Sequence, residues 1–153
     1  MRTPLFRWLR RVVILTLVIL ALQFELGMAI NLSPNLPSLS GFGFSVPLIL
    51  QALQKIGVVG LLHAGTGISI LLLAIINLVL ALSSRVRSVW IFAVLAFLST
   101  FGAVSTGLLF TLSGFQNDGY SHGMATNFLL TFSFFFIELY MLKPVPVTRT
   151  TGS

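Results

Sequence analysis

Apolar residues run almost unbroken over Val12 to Ile30, Ile56 to Leu82, Val89 to Leu112 and Tyr120 to Leu142, with polar or proline-marked stretches between them. A helix needs about 20 apolar residues to cross the hydrocarbon of a bilayer, and each run meets that length. The pattern predicts an all-α protein: an integral membrane four-helix bundle forming one domain over residues 1–153, with spans at about 12–31, 56–82, 89–112 and 120–142. The longest connection, 32–55, is an outer loop punctuated by Ser33-Pro34-Asn35 and Leu36-Pro37-Ser38. Within it, Ser45 as an N-cap and Pro47 in the first turn predict a short interfacial helix over Val46 to Gln54. The connection from Ser113 to Gly119 is polar and too short for structure of its own, and Lys143-Pro144-Val145-Pro146 stops the last helix.

Charge sets the direction of the spans. Arg2, Arg7, Arg10, Arg11, Arg85, Arg87, Lys143 and Arg149 fall on one side of this topology and only Lys55 on the other. By the positive-inside rule both termini are cytoplasmic, with Trp8 and Trp90 at headgroup depth, in a multi-pass protein of the cell membrane. A secretory signal peptide cleaved near Gly27-Met28-Ala29 is the competing reading of the first span, but that run is long for a signal core and contains Glu25. The net charge of +6 flanks the apolar runs, so it marks orientation and not nucleic-acid binding.

Composition narrows the chemistry. With 56% hydrophobic and 8% charged residues and a mean hydropathy of +1.03, the chain lies outside the soluble range. The absence of cysteine excludes disulfides and thiolate metal sites, and no phosphate loop, catalytic triad or nucleotide fingerprint is present.

The two histidines, His63 and His122, each stand near the outer start of an apolar run. Ionisable side chains at membrane depth face the bundle interior by default, so a shared partner is expected. Haem between two imidazoles on different helices is the economical candidate, with His63 and His122 as iron ligands. Small residues at helical spacing, Gly60 and Gly67 around His63 and Ala125 and Thr126 after His122, would admit a flat macrocycle. The competing readings are a small-residue packing stripe with structural histidines, a proton or quinone site, or a non-haem metal. Two imidazoles alone leave zinc or copper short of ligands. A weak internal repeat pairs Leu26-Gly27-Met28-Ala29 before His63 with Phe101-Gly102-Ala103-Val104 before His122, placing the histidines across a pseudo-twofold axis.

Glu25, inside the first span, is read either as a proton-handling catalytic group or as a structural partner of Lys55, with Gln23 and Asn31 as weaker candidates of the same kind. Glu138 is expected at the interface near Lys143, Asn77 among interhelical hydrogen-bond groups, and Phe132 to Phe136 as lipid-facing bulk.

Leu22-Gln23-Phe24-Glu25-Leu26-Gly27, His63 with Gly67, Phe101-Gly102-Ala103-Val104-Ser105-Thr106-Gly107 and His122 with Ala125 together resemble one four-helix repeat of the haem A synthase family. That resemblance implies a haem near the outer face and, in the enzyme, oxidation of haem O to haem A. The chain departs from the family at Gly60 and Ala64, where a glutamate and an arginine are typical, and lacks its outer-loop cysteines. The expected function is therefore a b-type, cytochrome b-like haem protein in electron transfer or haem handling for a respiratory chain. The alternatives are a compact haem A synthase, in which Glu25 would act, or a haem-free structural subunit. Expected partners are the lipid bilayer, haem, and other respiratory subunits or a quinone.

Overall fold

The computed structural model describes residues 4–32, 50–51, 54–115 and 117–143. The predicted loop helix and its Ser45 cap lie largely outside these residues, although Leu50, Gln51 and Gln54 to Ile56 are helical. Four helices carry the fold: α1 (Pro4–Asn31), α2 (Val58–Ser83), α3 (Arg87–Leu112) and α4 (Asp118–Met141). All four are long and apolar enough to cross a membrane. Observed and expected bounds differ most at α1, which begins at Pro4 and so takes Arg7, Arg10 and Arg11 into the helix, with the Arg11 guanidinium over the Trp8 ring at 5.3 Å. Gly57, at φ 76, breaks the chain between the short helical turn at Gln54 and α2, which is why α2 starts at Val58 rather than Ile56.

The helices form a ring in which α1 packs on α2, α2 on α3, α3 on α4 and α4 back on α1. Side chains facing inward recur at alternating intervals of three and four residues. They are Leu9, Val13, Thr16, Leu20, Gln23 and Gly27 on α1, and Gly60, His63, Gly67, Ile70, Ala74, Asn77 and Ala81 on α2. On α3 the stripe is Val89, Ala93, Ala96, Thr100, Ala103, Gly107 and Phe110, and on α4 Met124, Phe128, Thr131, Phe135, Glu138 and Leu142. This is the seam spacing of antiparallel bundles packed ridge into groove.

Burial is uneven along the bundle axis. At the end carrying Arg7, Arg85, Arg87 and Lys143, here the arginine end, Leu9, Val13, Ala74, Ala81, Val89, Ala93, Phe135 and Leu142 form a closed core. Thr16, Thr100 and Thr131 lie in it without cost because their hydroxyls donate to Val12, Ala96 and Asn127 carbonyls at 2.7–2.8 Å. At the opposite, histidine end, inward positions such as Gln23, Gly27, His63, Gly67, Met124 and Phe128 are only half-buried. Outward faces carry large apolar residues throughout, among them Val18, Leu72, Leu98 and Leu129, as lipid contact requires. Within the Phe132 to Phe136 stretch the roles divide: Phe132 and Phe136 are exposed and stacked at 6.4 Å, whereas Phe135 is fully buried in the core.

Candidate functional site

His63 stands five residues after the first residue of α2, and His122 four after the first of α4, so both lie at the same end, about 6–8 Å along their helices. Their surroundings differ. His63 falls on the inward stripe of α2 and leans onto α1. A Cβ added to Gly27 would stand 3.2 Å from His63 Cε1, so the ring rests where α1 has no side chain. Gln23, one turn earlier on α1, places its Nε2 3.2 Å from His63 Nε2. A hydrogen bond therefore links the Gln23 amide to the imidazole at Nε2. The Thr66 hydroxyl donates to Gln23 Oε1 and also lies 2.8 Å from the Leu62 carbonyl, fixing the amide. Gly67 opens room for it, since a Cβ there would meet Gln23 Nε2 at 3.3 Å. Nδ1 of His63 is buried and has no hydrogen-bond partner.

His122 is exposed, and its side chain makes no hydrogen bond or ion pair with a described residue. It is two positions from Met124, hence about half a turn round α4 from the inward stripe. Ala125 and Thr126, expected as the small-residue surround of a ligand, are exposed with it. The structure therefore does not bring His122 to His63. α2 and α4 are diagonal partners in the ring, as the sequence suggested, but the helical phase of α4 turns His122 outward. Glu25 is likewise exposed, two positions from Gln23 on α1, and forms no ion pair with Lys55. Gly60 is buried at the mouth of the α2 stripe.

The expected repeat holds in topology and fails in register. Gly27 faces His63, but Gly102 faces Asn127, five residues beyond His122, with a would-be Cβ 2.7 Å from Asn127 Oδ1. Gly107 faces Met124 Sδ at 3.1 Å and Gly123 faces Thr106 at 3.2 Å. In the second half, then, Met124 occupies the level that His63 holds in the first.

Comparison with protein-family profiles, with curated proteins and with solved structures gave no match. What the site can do follows from its atoms. Among the described residues no three His, Cys, Asp or Glu side chains cluster as a metal site, so a bare metal ion has no protein cage here. A cofactor that brings its own ligand set needs only one or two protein donors. His63 fits that requirement: it is inward, held by Gln23, set among the glycines Gly27 and Gly67, and in the half of the bundle where its inward neighbours are only half-buried. His122 does not fit it in this conformation.

Sequence reasoning found His63 from its rarity in an apolar run. It ranked Gln23 below Glu25, although Gln23 is the residue that touches the imidazole. The signal was available: Gln23 and Gly27 are four apart, as are His63 and Gly67, so each pair shares a helix face.

Proposed function

We propose that the protein is a multi-pass membrane haem holder of the electron-transfer or haem-handling kind, oriented with both termini cytoplasmic, in which His63 is the protein's ligand to iron near the outer face. The observation that supports it most is the fixed imidazole: His63 faces inward at the half-buried end, oriented through Gln23 by Thr66. A ligating histidine characteristically is held by a second group at the ring nitrogen that does not bind the metal; Gln23 and Thr66 instead hold Nε2, and Nδ1 has no partner. Ligation of iron through Nε2 would require Gln23 to give up its bond to that nitrogen while keeping its bond to Thr66. Haem would supply one-electron chemistry there; the chain supplies the imidazole, the glycine-lined approach and an apolar wall. On α4 the inward side chain with ligating chemistry at this level is Met124, whose thioether would be the second protein donor.

Conversion of haem O to haem A draws no support from Glu25, which points away from His63. A structural histidine is the competing reading, and the bond from Gln23 to Nε2 favours it, because that bond already satisfies the nitrogen that would ligate. Absorption spectra of the protein purified after expression with ample haem, oxidised and reduced, decide between them. The haem reading requires a Soret band in wild type that is lost in His63→Ala and kept in His122→Ala. Absence of any Soret band in folded wild type leaves the structural reading.

A further inference from the structure

Among the described residues Glu138 and Asn77 form the polar pair that bridges the diagonal of the ring, and both side chains are fully buried. Asn77 Nδ2 donates to Glu138 Oε2 at 2.8 Å. The remaining oxygen of each, Asn77 Oδ1 and Glu138 Oε1, is buried without a partner. If Glu138 were a carboxylate, the arginine-end core would hold a net charge and two unmatched acceptors side by side, an arrangement that costs several kcal/mol in general. One proton on the carboxyl removes both defects. Reversing the amide changes nothing in this logic, because Asn77 always presents one donor and one acceptor and only a carboxylic acid matches both.

Among the described residues no cation compensates instead. From α1, Arg7, Arg10 and Arg11 are exposed, as are Arg85 and Arg87 in and after the α2–α3 turn. On the chain following α4, the Lys143 ammonium lies 4.4 Å from the Tyr140 ring centre, and Tyr140 is itself exposed. Among the described residues Glu138 has no ion pair. Its other surroundings at this end are the apolar core of Leu9, Val13, Ala81, Val89 and Leu142.

We propose that Glu138 is a proton-binding site: a neutral carboxylic acid that closes a two-bond ring with Asn77, Oε2 accepting from Nδ2 and the Oε1 hydroxyl donating to Oδ1. The ligand is a proton, taken up when the bundle closes, and the site is separate from His63, which lies fourteen residues away along α2 and about 21 Å up the helix from Asn77.

Infrared spectroscopy of the full chain in lipid at neutral pH tests this. A carboxylic-acid C=O stretch is expected, moved by exchange into D2O only when the core opens, absent in Glu138→Gln and shifted to higher frequency in Asn77→Leu, which removes its partner. Where Glu138→Gln does not fold, carbon-13 NMR of glutamate-labelled protein carrying Glu25→Gln observes Glu138 directly, since Glu25 and Glu138 are the only two glutamates. A Glu138 carbon shift or stretch of the ionised carboxylate in the folded protein at neutral pH overturns the proposal, whether or not a cation accompanies it.

Discussion

The two ends of the bundle solve opposite problems with the same helices. At the arginine end the core is closed: threonines bond back to their own helix, Asn77 meets Glu138 while Asn77 Oδ1 and Glu138 Oε1 stay without partners, and Phe135 and Leu142 fill the remaining space. At the histidine end glycines replace bulk around His63, which keeps an orphan Nδ1, and the inward residues Gln23, Gly27, Gly67, Met124 and Phe128 are only half-buried. Packing supplies the stability of a membrane bundle, because water no longer drives its helices together. A closed end therefore anchors the fold and leaves the other free to be shaped for binding.

That contrast is open to measurement. Phe135→Ala empties the closed core, and a loss of about 3–5 kcal/mol is expected in SDS-unfolding experiments. Phe128→Ala, on the same stripe but at the half-buried level, should cost less than half as much; equal costs would erase the distinction between the ends. Next in size is Gly102→Ala, where the new methyl meets Asn127 Oδ1 at 2.7 Å and forces the amide away, breaking the bond that its Nδ2 donates to the Gly123 carbonyl. Overpacking of that kind costs about 1–3 kcal/mol. Gly27→Ala meets only the His63 ring edge, at 3.2 Å, and should disturb stability less than Gly102→Ala while displacing the imidazole, visible as a change in His63 ring NMR shifts. Gln23→Leu removes two hydrogen bonds, with His63 and with Thr66, a loss of about 1 kcal/mol each, and frees the ring to reorient. Smallest of all, His122→Ala should leave unfolding unchanged, because its exposed side chain makes no hydrogen bond or ion pair with a described residue; measurable destabilisation would mean that α4 is rotated from the phase described.

Much of this was legible beforehand. Span existence, span order and the shared end of the histidines follow from apolar run length and short connections, and the observed helix ends lie within two residues of expectation at α2, α3 and α4. The face of each polar residue was harder to read. Along α4 nearly every position is apolar, so composition alone does not fix the helical phase, and His122 looked as inward as His63. The phase is set by Met124, Phe128, Thr131, Phe135 and Glu138 together, a stripe visible only when the three-four spacing is counted through the whole helix. Glu138, seven residues after Thr131, belongs to that stripe, and this is why it is buried against Asn77 instead of sitting at the interface beside Lys143. Glu25 failed for the same reason in reverse: its neighbours Gln23 and Gly27 hold the inward phase, two positions to either side.

The most direct test of the central claim is the reduced-minus-oxidised absorption spectrum of protein expressed with ample haem, in wild type, His63→Ala, His122→Ala and Met124→Leu. The account predicts a haem spectrum that disappears with His63, persists without His122, and changes its ligand-sensitive bands without Met124. A folded wild-type protein with no haem spectrum, or one whose spectrum survives loss of His63, would contradict it.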